Sequence, residues 1–209
     1  MKSIGDQQLN LPAQAPIMVL PNALLFPNAL LPLRIFEPRY RAMLENALEG
    51  QRMFCIALVR RGRDSWKTPE DFHDVAGLGL VRACVGHEDG TSDLVLQGIA
   101  RVKLTAFTQE KPFVMAEIRE LRSIAPGAYE AEALTAKLLA LCAQLRTAGH
   151  QIPKSLDDQL AKIDNAEVLT DVVAQTFLQD PYRRQDVFEE LRVGERLRLL
   201  IRHLSAEML

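Results

Sequence analysis

The period of the apolar residues changes once along this chain, near residue 125, and that single change constrains the fold more than any other feature. From about Pro16 to Leu121 apolar residues alternate with polar ones or run in short unbroken stretches. After Ser123-Ile124-Ala125-Pro126-Gly127 they recur every three to four positions. A period of two belongs to strands and a period of 3.6 to amphipathic helices. Strands followed by helices, rather than alternating with them, point to an α+β architecture. The expected division is an arm over residues 1–15, a β-rich unit over 16–125 and a helical bundle over 126–209. With 209 residues, 48% apolar and 25% charged, the chain can bury a real core.

Within the first half, Pro38 can open a helix because its missing N–H would lack a partner there. Tyr40, Met43, Leu44, Ala47 and Leu48 then form one stripe, and Gly50 stops it. Met53-Phe54-Cys55-Ile56-Ala57-Leu58-Val59 is apolar at both parities, which predicts a central strand buried on both faces. Residues 60–74 are polar and read as a long exposed loop. Val75–Val85 resumes a strand, with Gly77 and Gly79 marking a bulge or bend. Asp89-Gly90 predicts a hairpin turn, and Val102–Ala106 and Val114–Ile118 alternate as half-buried strands. Short strands in succession with glycine corners favour a small barrel-like sheet over a parallel layer.

In the second half, Ala131, Leu134, Leu138, Leu141 and Leu145 stripe a helix ending near Gly149. Ser155 with Asp158, and Asp164 with Glu167, read as capping boxes. Behind the second, Val168, Leu169, Val172, Val173, Thr176 and Phe177 form the next stripe. Asp180-Pro181 opens another helix with Asp as cap and Pro at the first turn, and Leu197, Leu200, Ile201 and Leu204 stripe the last.

Three separated blocks resemble the N-terminal, substrate-binding domain of Lon-type proteases. The first is Ile17-Met18-Val19-Leu20-Pro21, Leu24-Leu25-Phe26-Pro27 and the run from Leu30 to Arg34-Ile35-Phe36-Glu37-Pro38-Arg39-Tyr40. The second is Gly77–Arg82 with Asp89-Gly90 and Leu94–Val102, and the third is Phe177–Asp180 with Leu191–Leu200. The resemblance implies a PUA-like β pseudo-barrel with an inserted helix, followed by an α-helical bundle. It also implies a module that binds protein substrates and helps assembly. In Lon proteases an ATPase and a Ser-Lys protease domain follow. No G-x-x-x-x-G-K-[ST] phosphate loop occurs here, so the expectation is the substrate-handling module standing alone, without catalysis.

The remaining chemistry points the same way. The histidines His73, His87, His150 and His203 have no metal-ligand spacing, so neither a metal nor a cofactor is expected, and they read as surface residues. Cys55, Cys84 and Cys142 sit in apolar patterns and read as buried thiols of a reducing compartment. There is no secretory h-region and no apolar run of about 18 residues, so a cytoplasmic protein without a membrane span is expected. A formal net charge of −2 provides no field for anionic partners. The arginines Arg183, Arg184, Arg192, Arg196, Arg198 and Arg202 are interleaved with Glu189, Glu190 and Glu195, so a solvated helix face is the reading and nucleic acid is disfavoured.

Two groups are left as binding candidates. Arg34, Phe36, Glu37, Arg39 and Tyr40 either pin the strand-to-helix corner or line a peptide surface. Leu24, Leu25, Phe26 and Pro27 form either an exposed patch for unfolded or extended peptides or a plug for the end of the barrel. The expected partners are segments of unfolded or partner proteins, with a protease as a further docking partner in quality control or as an adaptor. The alternative is an RNA-associated protein using the PUA-like fold. No residue pattern specifies a client or an oligomeric state.

Overall fold

The computed structural model describes residues 10–109, 111–147 and 159–207. The β-rich half comprises β1 (Gln14–Leu20), β2 (Leu30–Ile35), α1 (Pro38–Glu49), β3 (Met53–Leu58), β4 (Val75–Gly86), β5 (Ser92–Thr108) and β6 (Val114–Leu121). The helices α2 (Ala128–Thr147), α3 (Ala166–Phe177), α4 (Pro181–Glu189) and α5 (Val193–Ala206) follow. The architecture is α+β. The sheet runs in the order β2-β5-β4-β3-β1-β6, and β5 also pairs with β6. Only β1 and β3 are parallel; the other ladders are antiparallel.

β3 lies between β1 and β4 with all six residues buried, as its doubly apolar pattern requires. The stretch expected as an arm over 1–15 includes the first strand residues. β1 begins at Gln14, Ala15 is fully buried, and Ile118 N donates to Ala13 O at 2.9 Å. Pairing with β6 supplies the backbone partners that a loose arm would leave to water. Residues 1–9 lie outside the described residues. The loop over 60–74 is likewise only partly exposed. A one-turn 3₁₀ helix, Pro69–Asp71, turns Phe72 into the core, where it packs edge-on to Trp66 and Phe107.

Glu88-Asp89-Gly90 makes the hairpin turn between β4 and β5. Gly90 takes φ 75°, and Asp89 accepts from Thr91 N at 2.9 Å and from Thr91 Oγ1 at 2.7 Å. The strand glycines have a different purpose. A Cβ at Gly77 would strike the Leu25 carbonyl, and one at Gly98 would strike the Phe26 carbonyl. Both glycines therefore let the Leu24–Pro27 loop lie against the sheet.

The phase of the β2–β5 ladder explains a proline inside a strand. Gly98 N donates to Ala29 O and Asn28 N to Gly98 O, both at 2.9 Å, so Gly98 turns its backbone groups toward the β2 side. His87 N donates to Thr91 O at 2.9 Å, which fixes the complementary phase between β4 and β5. With Leu30 opposite Gln97 and Pro32 opposite Val95, the odd-numbered residues of β2 bond to β5. Leu30, Pro32 and Arg34 turn their backbone groups away from β5. Pro32 thus lacks an N–H where the ladder needs none.

The helices mostly follow their caps and stripes. Asp180 accepts from Tyr182 N at 2.8 Å at the start of α4, and Leu197, Leu200, Ile201 and Leu204 of α5 are buried. At α3 the cap is Asn165, not Asp164. Its Oδ1 accepts from Glu167 N and Val168 N at 2.9 and 3.2 Å. The buried face of α3 is Leu169, Thr170, Asp171, Val173, Ala174 and Phe177, turned about a quarter turn from the expected stripe. The proposed Ser155–Asp158 cap and the helix end at Gly149 lie outside the described residues.

That rotation buries an ionic cluster between sheet and helices. Arg101 of β5 donates through NH1 to Asp171 Oδ2 at 2.9 Å, through NH2 to Asp171 Oδ1, and through Nε to Phe188 O at 2.9 Å. Arg196 of α5 donates to Asp171 Oδ1 at 3.3 Å, Glu190 O at 2.7 Å and Ser123 Oγ at 2.8 Å. Ser123 Oγ in turn donates to Glu167 at 2.6 Å. Burial pushes the Asp171 carboxyl up, and Arg101 and then Arg196 pull it back. The Arg101 guanidinium also lies 4.8 Å from the Phe188 ring and 5.7 Å from that of Phe26.

Removing Asp171 strands two buried cations. Asp171→Ala is therefore expected to cost about 3–5 kcal/mol in urea denaturation. Glu167→Gln, at a half-exposed position, is expected to cost about 1 kcal/mol or less.

Candidate functional site

The loop Pro21–Ala29 leaves β1 and turns inward. Leu24, Leu25 and Phe26 are all buried, and only Pro21, Asn22 and Asn28 are fully exposed. Leu24 and Phe26 pack with Leu58 and the helical core, while Leu25 packs with Tyr40, Met43 and Leu96. Phe26 meets Phe188 edge-on at 5.1 Å between centroids. An exposed patch at Leu24–Phe26 is not what forms, because these side chains fill the junction between sheet and helices. Of the two sequence readings the plug is the one in place, and Pro27 is half-buried beside it.

The corner residues divide. Tyr40 is buried; its hydroxyl donates to Val19 O at 3.0 Å and accepts from Val19 N at 3.3 Å, tying α1 to β1. Glu37 precedes α1 as a cap without a side-chain cap bond, and instead accepts from Arg39 Nε at 2.9 Å. Arg39 stacks 4.7 Å from the Tyr40 ring centroid and 5.4 Å from that of Trp66. Arg34 and Phe36 point outward, Phe36 being 63% exposed.

Phe36 leads to apolar surface that the sequence reading did not single out. Leu30 and Val85 are each 61% exposed. A shallow cleft of about 360 Å³ lies beside Val85, lined by Pro32, Leu33, Ala83, Val85, Leu94 and Val95 among others. The ladder places Pro32, Val95, Ala83 and Val85 on one face, and Leu33 and Leu94 on the other. Pro32 is opposite Val95 and Val95 opposite Ala83, while Arg34 is opposite Asp93 and Asp93 opposite Val85. Residues directly opposite in antiparallel strands point to the same side. The result is an outward face of Leu30, Pro32, Val95, Ala83 and Val85, on which Gln97 and the charged Arg34 and Asp93 also stand, with Phe36 exposed just beyond the end of β2. The alternation of Leu30, Pro32, Arg34 and Phe36 was the available signal.

Several side-chain expectations change. Arg196 is not on a solvated face but fully buried, because Asp171 and two carbonyl or hydroxyl acceptors satisfy it. Arg183, Arg192 and Arg198 pair with Glu207, Glu190, and Glu130 with Glu195, respectively. Arg184 donates to Leu178 O at 2.6 Å. Five of the six arginines, all but Arg202, are thus engaged by protein groups. Cys55 is buried and desolvation pushes its thiol far up, which disfavours the reactive thiolate. Cys142 is buried too, whereas Cys84 is half-exposed in the cleft wall.

His87 is exposed and 2.7 Å from Asp93. His73 and His203 are half-buried, not surface residues: His73 Nδ1 lies 3.0 Å from Glu189 Oε1, and His203 Nε2 lies 3.6 Å from Asp186. His150 lies outside the described residues. No group of three His, Cys, Asp or Glu residues is arranged to hold a metal among the described residues. No described helix is long and apolar enough to cross a membrane.

The family described as the ATP-dependent protease La (LON) substrate-binding domain matches residues 14–206. The chain belongs to this family. The Lon protease of Desulfosudis oleivorans is 26% identical over 199 residues, which is 95% of this chain and 24% of that protein. The Lon protease of Dictyoglomus thermophilum is 23% identical over 203 residues, 97% of this chain and 26% of that protein. The chain thus spans about a quarter of the length of these curated relatives. Among solved structures, the N-terminal domain of the Mycobacterium avium complex Lon protease superposes with a TM-score of 0.69 at 20% identity, covering 92% of this chain and 98% of that one. The Lon N-terminal domain protein from Xanthomonas campestris gives 0.61 at 17% identity, covering 90% and 97%. These structural likenesses establish a Lon N-terminal-domain fold, and the match over residues 14–206 establishes the family.

Two outcomes are expected from this geometry. Phe26→Ser empties the junction and is expected to lower stability by about 3–5 kcal/mol in urea denaturation, the range for a buried Phe truncation. Burial holds His203 below the usual histidine range, against the pull of Asp186. A histidine with a lower pKa folded than unfolded stabilises fully above its unfolded value, about 6.5, and loses that contribution as pH falls toward the folded value. Burial raises Asp186, whose contribution has the opposite sign and is lost as pH rises. Melting temperatures compared at about pH 7.5 and about pH 5.5 should therefore show a smaller acid loss for His203→Gln than for the parent chain.

Proposed function

We propose that this chain is a non-catalytic module that binds unfolded or extended segments of other proteins. The observation that carries the reading is the match of the Lon substrate-binding family to residues 14–206, in a chain whose sheet presents the apolar face around Leu30, Phe36 and Val85. Uncharged, exposed, clustered apolar side chains suit segments that a folded protein would bury. The binding role passes from the Leu24–Pro27 loop, which is inside, to Phe36 of the original candidates and its neighbours on β2, β4 and β5. Arg34 flanks that surface; Glu37, Arg39 and Tyr40 set the corner that holds β2 beside α1.

In this reading the strands, with β5 pairing to both β4 and β6, form a PUA-like pseudo-barrel over residues 16–125. Residues 126–209 form the bundle that buttresses it. The pairing of β5 with β6 supports the barrel form, because it links the two ends of the β5-β4-β3-β1-β6 ladder. A cytoplasmic role in protein quality control, alone or as an adaptor docked on a protease, is the role proposed, and the family match supports it.

The test is capture of an unfolded client. Phe36→Ser and Leu30→Ser are expected to reduce binding of a reduced, alkylated reporter protein about tenfold, measured by fluorescence anisotropy. Each is expected to leave the melting temperature within about 2 °C of the parent, as for exposed substitutions. Recovery of RNA in place of protein clients from lysate at physiological salt would overturn the reading in favour of an RNA-binding role.

A further inference from the structure

We propose that the client segment docks by adding a strand to the free edge of β2; this rests on the peptide-binding reading above. Among the described residues β2 pairs with β5 alone and ends the sheet. By the ladder phase, the backbone groups of Leu30, Pro32 and Arg34 face away from β5. That edge therefore offers two N–H donors, from Leu30 and Arg34, and three C=O acceptors. An extended segment can pair with them as strands do in β-augmentation.

The side chains beside this edge select the occupant. Leu30 and Pro32 stand on the outward face, with Phe36 exposed just past the strand's end, and alternate side chains of an added strand would lie next to Leu30 and Pro32. Behind them Val95, Ala83 and Val85 continue the apolar surface across two more strands. On this face Arg34 and Asp93 lie directly opposite each other in the ladder, and Asp93 is engaged by His87 at 2.7 Å. A charged residue set against Leu30, Pro32 or Val95 would lose hydration without gaining a counter-charge. A neutral segment with apolar residues at every second position matches the face. Lining and edge together thus specify the class: an extended, uncharged, β-prone stretch free of proline at the bonded positions.

The test uses a fluorescein-labelled ten-residue peptide of alternating Val and Ser, and the same peptide N-methylated at every second residue. N-methylation removes the amides that would bond to β2 and leaves the side chains in place. The full chain is expected to bind the parent peptide and to bind one N-methylated phase at least about tenfold more weakly. Arg34→Pro deletes an outward N–H that β5 does not use, and should weaken binding of the parent peptide similarly while circular dichroism and the melting temperature stay unchanged. Should Arg34→Pro fail to fold, the peptide pair on the unaltered chain still decides.

Parent and both N-methylated phases binding equally would sink strand addition and leave the peptide-binding reading standing. Failure of both the peptides and an unfolded reporter protein to bind would remove the peptide-binding reading itself. A chain that dimerises in sedimentation equilibrium, with the dimer abolished by Arg34→Pro and unaffected by peptide, would show that a second copy occupies the edge and overturn the proposal.

Discussion

The cluster of Arg101, Asp171 and Arg196 holds the two halves of this molecule in one arrangement. Arg101 belongs to the sheet, Asp171 and Arg196 to helices, and each of the three is buried. Ion pairs of this kind contribute little net stability, because desolvating the charges offsets most of their attraction. What they impose is geometry. A shift of α3 or α5 against β5 would leave a guanidinium or a carboxylate buried without its partner. The same guanidinium lies beside the Phe26 and Phe188 rings, so the ionic contact and the apolar plug fix the same junction.

From that junction the outer face of the sheet follows. The loop from Pro21 to Ala29 is drawn inward by Leu24, Leu25 and Phe26, and glycines 77 and 98 admit its carbonyls. Gly98 then receives Asn28 and Ala29, and this contact sets the phase in which β2 joins β5. A loop that served as the binding patch could not also do this. Its apolar residues are spent on the interior, while Leu30 and Pro32 of β2 stay exposed.

How much of this was legible in the sequence depended on whether local pattern and tertiary contact agreed. Tyr40, Met43, Leu44 and Ala47 follow their stripe, and Met53–Leu58 follows its doubly apolar run, because burial alone decides those positions. Asp89-Gly90 and Asp180-Pro181 were readable because turn and cap chemistry are local. Asp171 and Arg196 were not. Periodicity counts a charged residue as solvent-facing, and only a partner 70 or 25 residues away, respectively Arg101 and Asp171, reverses that. The same partner turns α3 away from its apolar stripe. The Leu24–Phe26 loop was ambiguous for the opposite reason: apolar residues in a turn fit a patch and a plug equally well, and Gly77 and Gly98, which distinguish them, lie far along the chain.

Pro32 has a meaning that only the ladder phase reveals. An open, apolar strand edge invites pairing with a second copy of itself. If two β2 edges met antiparallel in the register that uses the whole edge, Leu30 would face Arg34 of the other copy and Pro32 would face Pro32. The central pair would have two acceptors and no donor, at the point where such a ribbon needs both. An arginine would also sit against each leucine. A foreign segment without proline at that position loses at most one of these hydrogen bonds. The edge is thus poorer for itself than for another chain, which is the asymmetry a strand must have if it is to stay open and still receive a guest.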